Sequence, residues 1–144
     1  MVTSMRSVDI LLVEDNLGDV RLTQEVFSEC NISTNLHVTN NGTDAVQFLR
    51  QEGKYSNFPR PSLILLDLYL PGMSGHEVLN IVKNDACLKY IPVVILTASD
   101  AEEDILQSYD MHANCYVSKP ITLEKLHHTV EGIREFWLKV TQLL

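Results

Sequence analysis

Four short runs rich in Ile, Leu and Val punctuate the chain, at 9–13, 62–66, 92–96 and 115–117, and a weaker fifth lies at 36–39. They lack the polar-apolar alternation of a strand with one wet face. Continuous apolar runs are expected of strands covered on both faces, the condition of a parallel sheet flanked by helices. Between them the apolar spacing becomes helical. Asn16 is a candidate N-cap for a first helix burying Val20, Thr23, Phe27 and Cys30. Thr43 or Asp44 can cap a second helix with Ala45, Val46 and Leu49 inward, and Ser74 precedes a third carrying Val78, Ile81 and Val82. A fourth helix is expected over 101–111, and Thr122 opens a fifth. Its apolar stripe, Leu123, Leu126, Val130, Ile133, Trp137, Val140 and Leu144, is longer than one domain face needs. Strand and helix alternate throughout, so the class is α/β.

The length of 144 residues suits one domain, 1–144, burying roughly 70% of its unfolded surface. Nineteen acidic against 11 basic residues give a formal charge of -8, which repels nucleic-acid backbones and anionic lipid. The apolar runs at 10–13 and 63–66 fall far short of the ~20 residues of a membrane span. A single Arg6 before an apolar run that ends in two acids does not read as a secretory signal, so a cytoplasmic protein is expected. Cys30, Cys87 and Cys115 are odd in number, widely spaced and in apolar contexts, as expected of buried free thiols. The stretch 53–61, with Lys54, Tyr55, Phe58, Arg60 and two prolines, is longer than the usual connection and is expected to be an exposed, partly ordered loop.

Right-handed crossovers place the C-terminal ends of parallel strands on one edge, where open α/β sheets form their binding crevice. Read in order, those ends carry Glu14 and Asp15, Asp67, Thr97, and then Lys119 just beyond the fifth run. Three carboxylates on one edge repel one another unless a cation neutralises them, and an all-oxygen donor set suits Mg²⁺. Asp67, inside LILLDLYL, is the candidate nucleophile toward a phosphoryl group. The Lys119 ammonium can pair with a phosphoryl oxygen, and the Thr97 hydroxyl can rotate to donate to one. Taken singly these residues have ordinary readings. Glu14 and Asp15 suit a solvated helix start, Thr97 a strand end and Lys119 the surface. The order in which the fold would gather them is what argues for a site.

With those residues in place, the sequence resembles the receiver domains of two-component response regulators over about residues 9–137. The matching pieces are ILLVEDN, LILLDLYLPGMSG, VVILTAS and YVSKP. The resemblance implies a flavodoxin-like (βα)5 three-layer sandwich whose five parallel strands lie in the order 2-1-3-4-5. It implies Mg²⁺ held by Glu14, Asp15, Asp67 and the backbone carbonyl of Tyr69. It implies transfer from a phosphohistidine on a sensor histidine kinase to Asp67, with Thr97 and Tyr116 as switch residues and a cis bond between Lys119 and Pro120. Such a protein catalyses only its own phosphorylation and dephosphorylation. Tyr69 stands two residues after the acceptor, where side chains influence attack by water, and is expected to slow loss of the phosphoryl group.

The receiver pattern reaches the last helix, so no output domain is expected and the signal leaves by protein contact. That feature, the 53–61 loop and the extended last helix resemble the small regulators that partner cyanobacterial and bacterial phytochromes. The apolar end of the last helix suits either a homodimer through the fourth helix, fifth strand and fifth helix or packing on its own domain. A phosphorelay intermediate or a phosphate sink remains open. A Mg²⁺-dependent aspartyl phosphatase would need an acid two residues after the nucleophile, where Tyr69 stands. A pure interaction module would not need the intact acids, hydroxyl and lysine.

Overall fold

The computed structural model describes residues 7–29, 33–97 and 115–118, together with Glu124, Lys125 and His128 in helix; for Thr97 and 115–118 the backbone alone is described. The elements run β1 (Val8–Val13), α1 (Leu17–Ser28), β2 (Thr34–Thr39), α2 (Gly42–Leu49), a 3-10 turn (Gly53–Tyr55), β3 (Leu63–Asp67), α3 (Gly75–Asn84), β4 (Val93–Thr97) and β5 (Cys115–Ser118). The strands form one parallel sheet in the order β2-β1-β3-β4-β5, the expected order of the flavodoxin-like α/β class.

The two faces of the sheet explain the continuous apolar runs. Ile10, Leu12, Leu63, Leu65, Val94 and Leu96 point to the face covered by Val20, Val26 and Phe27 of α1. Their neighbours Leu11, Val13, Ile64, Leu66, Val93 and Ile95 point to the other, covered by Ala45, Val46, Phe48 and Leu49 of α2 and Val78, Leu79 and Val82 of α3. Leu79 takes the fully inward position that the spacing assigns to Ile81, which is only half-buried. Each buried aliphatic contributes about 1.5–3 kcal/mol relative to exposure, so neither face of these strands tolerates a polar residue cheaply.

Helix starts are set by side-chain caps. Asn16 accepts from the Asp19 N–H at 3.0 Å, as expected. The cap of α2 is Asn41, which accepts from Asp44 N–H at 2.8 Å, in place of Thr43 or Asp44. Ser74 and Glu77 form a reciprocal capping box at the start of α3. At the far end of α3 the Lys83 ammonium donates to the Ile91 carbonyl at 3.1 Å, and burial holds its pKa below the usual lysine value. This contact ties the helix to the approach into β4.

Three further expectations need correction. β2 begins at Thr34, two residues before the apolar run, because an edge strand tolerates polar residues that central strands do not. The 53–61 loop is largely exposed, as expected, but it is anchored: Tyr55 and Phe58 pack on Phe48 with ring centroids 5.3 and 5.5 Å away, and His37, 3.0 Å from Asp9 Oδ1, lies against Phe48 and Phe58. Arg60 Nε donates to the Leu49 carbonyl at 3.2 Å and closes the loop. Cys87 is an exposed free thiol rather than a buried one. Cys30 and the helices expected over 101–111 and from Thr122, with the dimer surface they would carry, lie outside the described residues apart from the three positions named above. Among the described residues no helix is long and apolar enough to cross a membrane.

Candidate functional site

Register places the acids. β1 pairs Val13 with Thr39 of β2 and with Leu66 of β3, so the residues that follow, Glu14 and Asp67, emerge side by side at the C-terminal edge. The Glu14 N–H donates to the Thr39 carbonyl at 3.0 Å and extends the ladder by one step. Glu14 is 1% exposed and Asp67 4%, whereas Asp15 is exposed. One carboxylate oxygen from each of Glu14, Asp15 and Asp67 lies within 4.8 Å of the other two.

Three local hydrogen bonds orient two of these carboxylates. Glu14 Oε2 accepts from the N–H groups of Asp15 and Asn16, at 3.1 and 3.3 Å, so the turn into α1 holds its own carboxylate. Asp67 Oδ1 accepts from the Tyr69 N–H at 2.9 Å, a tight side-chain turn directly after the strand end, and Tyr69 is 56% exposed. Beyond Tyr69 the turn passes Gly72, at φ +73°, and closes with the Gly75 N–H donating to the Leu68 carbonyl at 2.9 Å.

A buried pair of like charges at this spacing repels by on the order of 3 kcal/mol at an effective dielectric of 20. A hard divalent cation reverses that sign, and the donor set, three carboxylates with oxygen ligands only, fits one. The solvated-acid reading of Glu14 fails because the side chain is buried.

The remaining candidates are placed less fully. Thr97 ends β4 one residue beyond Leu96, the partner of Asp67, so its backbone stands at the same edge. Tyr116 pairs with Ile95 in β5, with only its backbone described. Lys119 lies outside the described residues, directly after Ser118 at the end of β5. A cavity of about 330 Å³ adjoins the acids and is lined by Glu14, Asp15, Thr39, Asp44, Lys54 and Tyr55 among others. The sequence placed Lys54 and Tyr55 only in a loop, with no link to the acids, and nothing in it pointed to Thr39, a 4% exposed strand end whose hydroxyl has no hydrogen-bond partner among the described residues.

The family model for the response regulator receiver domain matches residues 10–131. Response regulator Rcp1 of Synechocystis sp. is 48% identical over 134 residues, covering 93% of this chain and 91% of that protein. A probable methanogenesis regulatory protein, FilR2 of Methanothrix harundinacea, is 41% identical over 130 residues, 90% of this chain and 83% of its own. Among solved structures, the phosphorylated cyanobacterial phytochrome response regulator RcpA superposes with a TM-score of 0.83 at 47% identity, covering 94% of this chain and 96% of that one. The Mn(2+)-bound form of Rcp1 gives 0.81 at 49%, covering 91% and 94%.

Proposed function

The chain belongs to the response regulator receiver family, a family of signalling proteins, and from that premise we propose that it takes a phosphoryl group on Asp67 from a sensor histidine kinase of the phytochrome kind. The observation that carries this reading is the convergence of Glu14, Asp15 and Asp67, with Asp67 buried at a strand end and anchored to Tyr69 N–H. Kinship with RcpA, itself a phytochrome response regulator, supports the choice of kinase.

In the proposed step an Asp67 carboxylate oxygen forms a bond to phosphorus as the P–N bond of the donor phosphohistidine breaks, and the electron pair leaves with the imidazole nitrogen. Glu14, Asp15, Asp67 and the Tyr69 carbonyl would hold Mg²⁺, which when bound cancels charge on the phosphoryl oxygens. Lys119 balances the charge that remains, and the Thr97 hydroxyl donates to the new acyl phosphate, with Tyr116 following as the second switch residue. The signal then leaves by protein contacts. Incubation with a small acyl phosphate and Mg²⁺ is expected to add one phosphoryl group, read by intact mass, and a chelator is expected to prevent it. Equal labelling with chelator present counts against the metal.

Tyr69, exposed and tied to Asp67 through its backbone N–H, is proposed to shield the acyl phosphate from water. In the same assay, after donor removal, Tyr69→Ala is expected to lose the phosphoryl group severalfold faster than the wild type. An unchanged lifetime refutes the shielding role.

A further inference from the structure

We propose that Gly42, at the start of α2 against the turn that follows Asp67, is a positioning residue for the metal site. Gly42 opens α2 directly after the Asn41 cap, and it is buried. A Cβ built there would lie 2.7 Å from the Met73 carbonyl oxygen, 2.9 Å from Val78 Cγ2 and 3.0 Å from Met73 Cβ. The space is filled by the turn that runs from Asp67 to α3 and by the first turn of α3 itself. Bare backbone at Gly42 is what lets α2 seat against that turn.

A side chain at this position would force one of the two partners to move. α2 is fixed by Ala45, Val46, Phe48 and Leu49, all 6% exposed or less, in the interior beneath β1 and β3. Val78 is fully buried, and a β-branched side chain cannot swing aside cheaply. The turn is the softer element: Tyr69, Pro71 and Gly72 are exposed. Strain from a methyl group at Gly42 therefore passes into the turn. Two bonds connect the turn to the acceptor, Tyr69 N–H to Asp67 Oδ1 at 2.9 Å and Gly75 N–H to the Leu68 carbonyl at 2.9 Å. Displacing the turn shifts both the Asp67 carboxylate and the Tyr69 backbone, two of the donors in the proposed metal set. Gly42 thereby acts on the metal without touching it, in the way that groups around a metal site set the geometry of its ligands.

This inference rests on the metal reading of the site, and calorimetric titration of the full chain with Mg²⁺ separates the two. Three proteins are compared: wild type, Gly42→Ala, and Val82→Ala, which removes buried volume from the distant half of α3 without approaching the turn. Thermal unfolding of each without metal gives the loss of stability. Gly42→Ala is expected to bind Mg²⁺ roughly 10-fold or more weakly, while Val82→Ala loses stability and binds like the wild type. Wild-type affinity in Gly42→Ala overturns the positioning role. So does a loss in both variants that follows their loss of stability. No Mg²⁺ binding by the wild type overturns the metal reading, and this inference with it. If Gly42→Ala does not fold, Gly42→Ala combined with Val78→Ala relieves the methyl contact and leaves the Met73 carbonyl contact in place. That double variant is expected to fold and still bind weakly, and wild-type affinity in it overturns the proposal.

Discussion

Replacing Gly75 with alanine is expected to lower the free energy of unfolding by roughly 3 kcal/mol or more and to leave the protein poorly phosphorylated by small donors. A Cβ at Gly75 would lie 2.2 Å from the Asp67 carbonyl oxygen, 2.5 Å from Leu68 Cα and 2.9 Å from the Asp67 carbonyl carbon. All three are backbone atoms, and two of them belong to Asp67, the proposed acceptor. Alanine gains about 1 kcal/mol over glycine in helix propensity, but a contact this far inside the repulsive wall outweighs that gain. The strand end cannot retreat, because Asp67 is paired with Leu96 of β4. Urea unfolding of wild type and variant measures the cost. A loss below about 0.5 kcal/mol, within the range of an ordinary surface change, would show that the end of β3 is softer than its pairing suggests.

Much of this architecture is legible in the sequence because the central strands are covered on both faces. Leu11 and Leu12 are both fully buried, one on each face, and such pairs produce the unbroken runs that mark β1, β3 and β4. β2 is less visible because it lies at the edge, where Asn35 and Val38 reach solvent. Asn41 does not stand out as a cap because it precedes a glycine, a pair that reads as a turn, while Thr43 and Asp44 behind it look equally able. The aromatic packing of Tyr55 and Phe58 on Phe48 joins residues across a connection whose polar and proline content suggests exposure.

The acids are legible for a different reason. An aspartate closing an aliphatic run has few inexpensive explanations, and Asp67 is indeed buried. Glu14 closes the aliphatic run 10–13 in the same way, but a helix start offers it a solvated alternative, and its burial becomes clear only once β2 and β3 flank β1 on either side. The glycines are legible only in part. Gly75 belongs to the turn motif after the acceptor, but the contact of Gly42 with Met73 joins elements some thirty positions apart and arises only when α2 and α3 are packed together.

Asp67→Asn is expected to abolish phosphoryl transfer while preserving the fold. Asparagine keeps the size of the side chain and an oxygen able to accept from the Tyr69 N–H, so the bond that shapes the acceptor turn survives. A neutral amide oxygen lacks the charge that makes the carboxylate a nucleophile and a metal ligand. In the proposed site neither Glu14 nor Asp15 would take its place as acceptor, because both would hold the cation. Intact mass measurement of wild type and Asp67→Asn, each incubated with Mg²⁺ and a small acyl phosphate, is the direct test. One added phosphoryl group on the wild type and none on the variant is the predicted result; a variant that gains the group as readily as the wild type would contradict it.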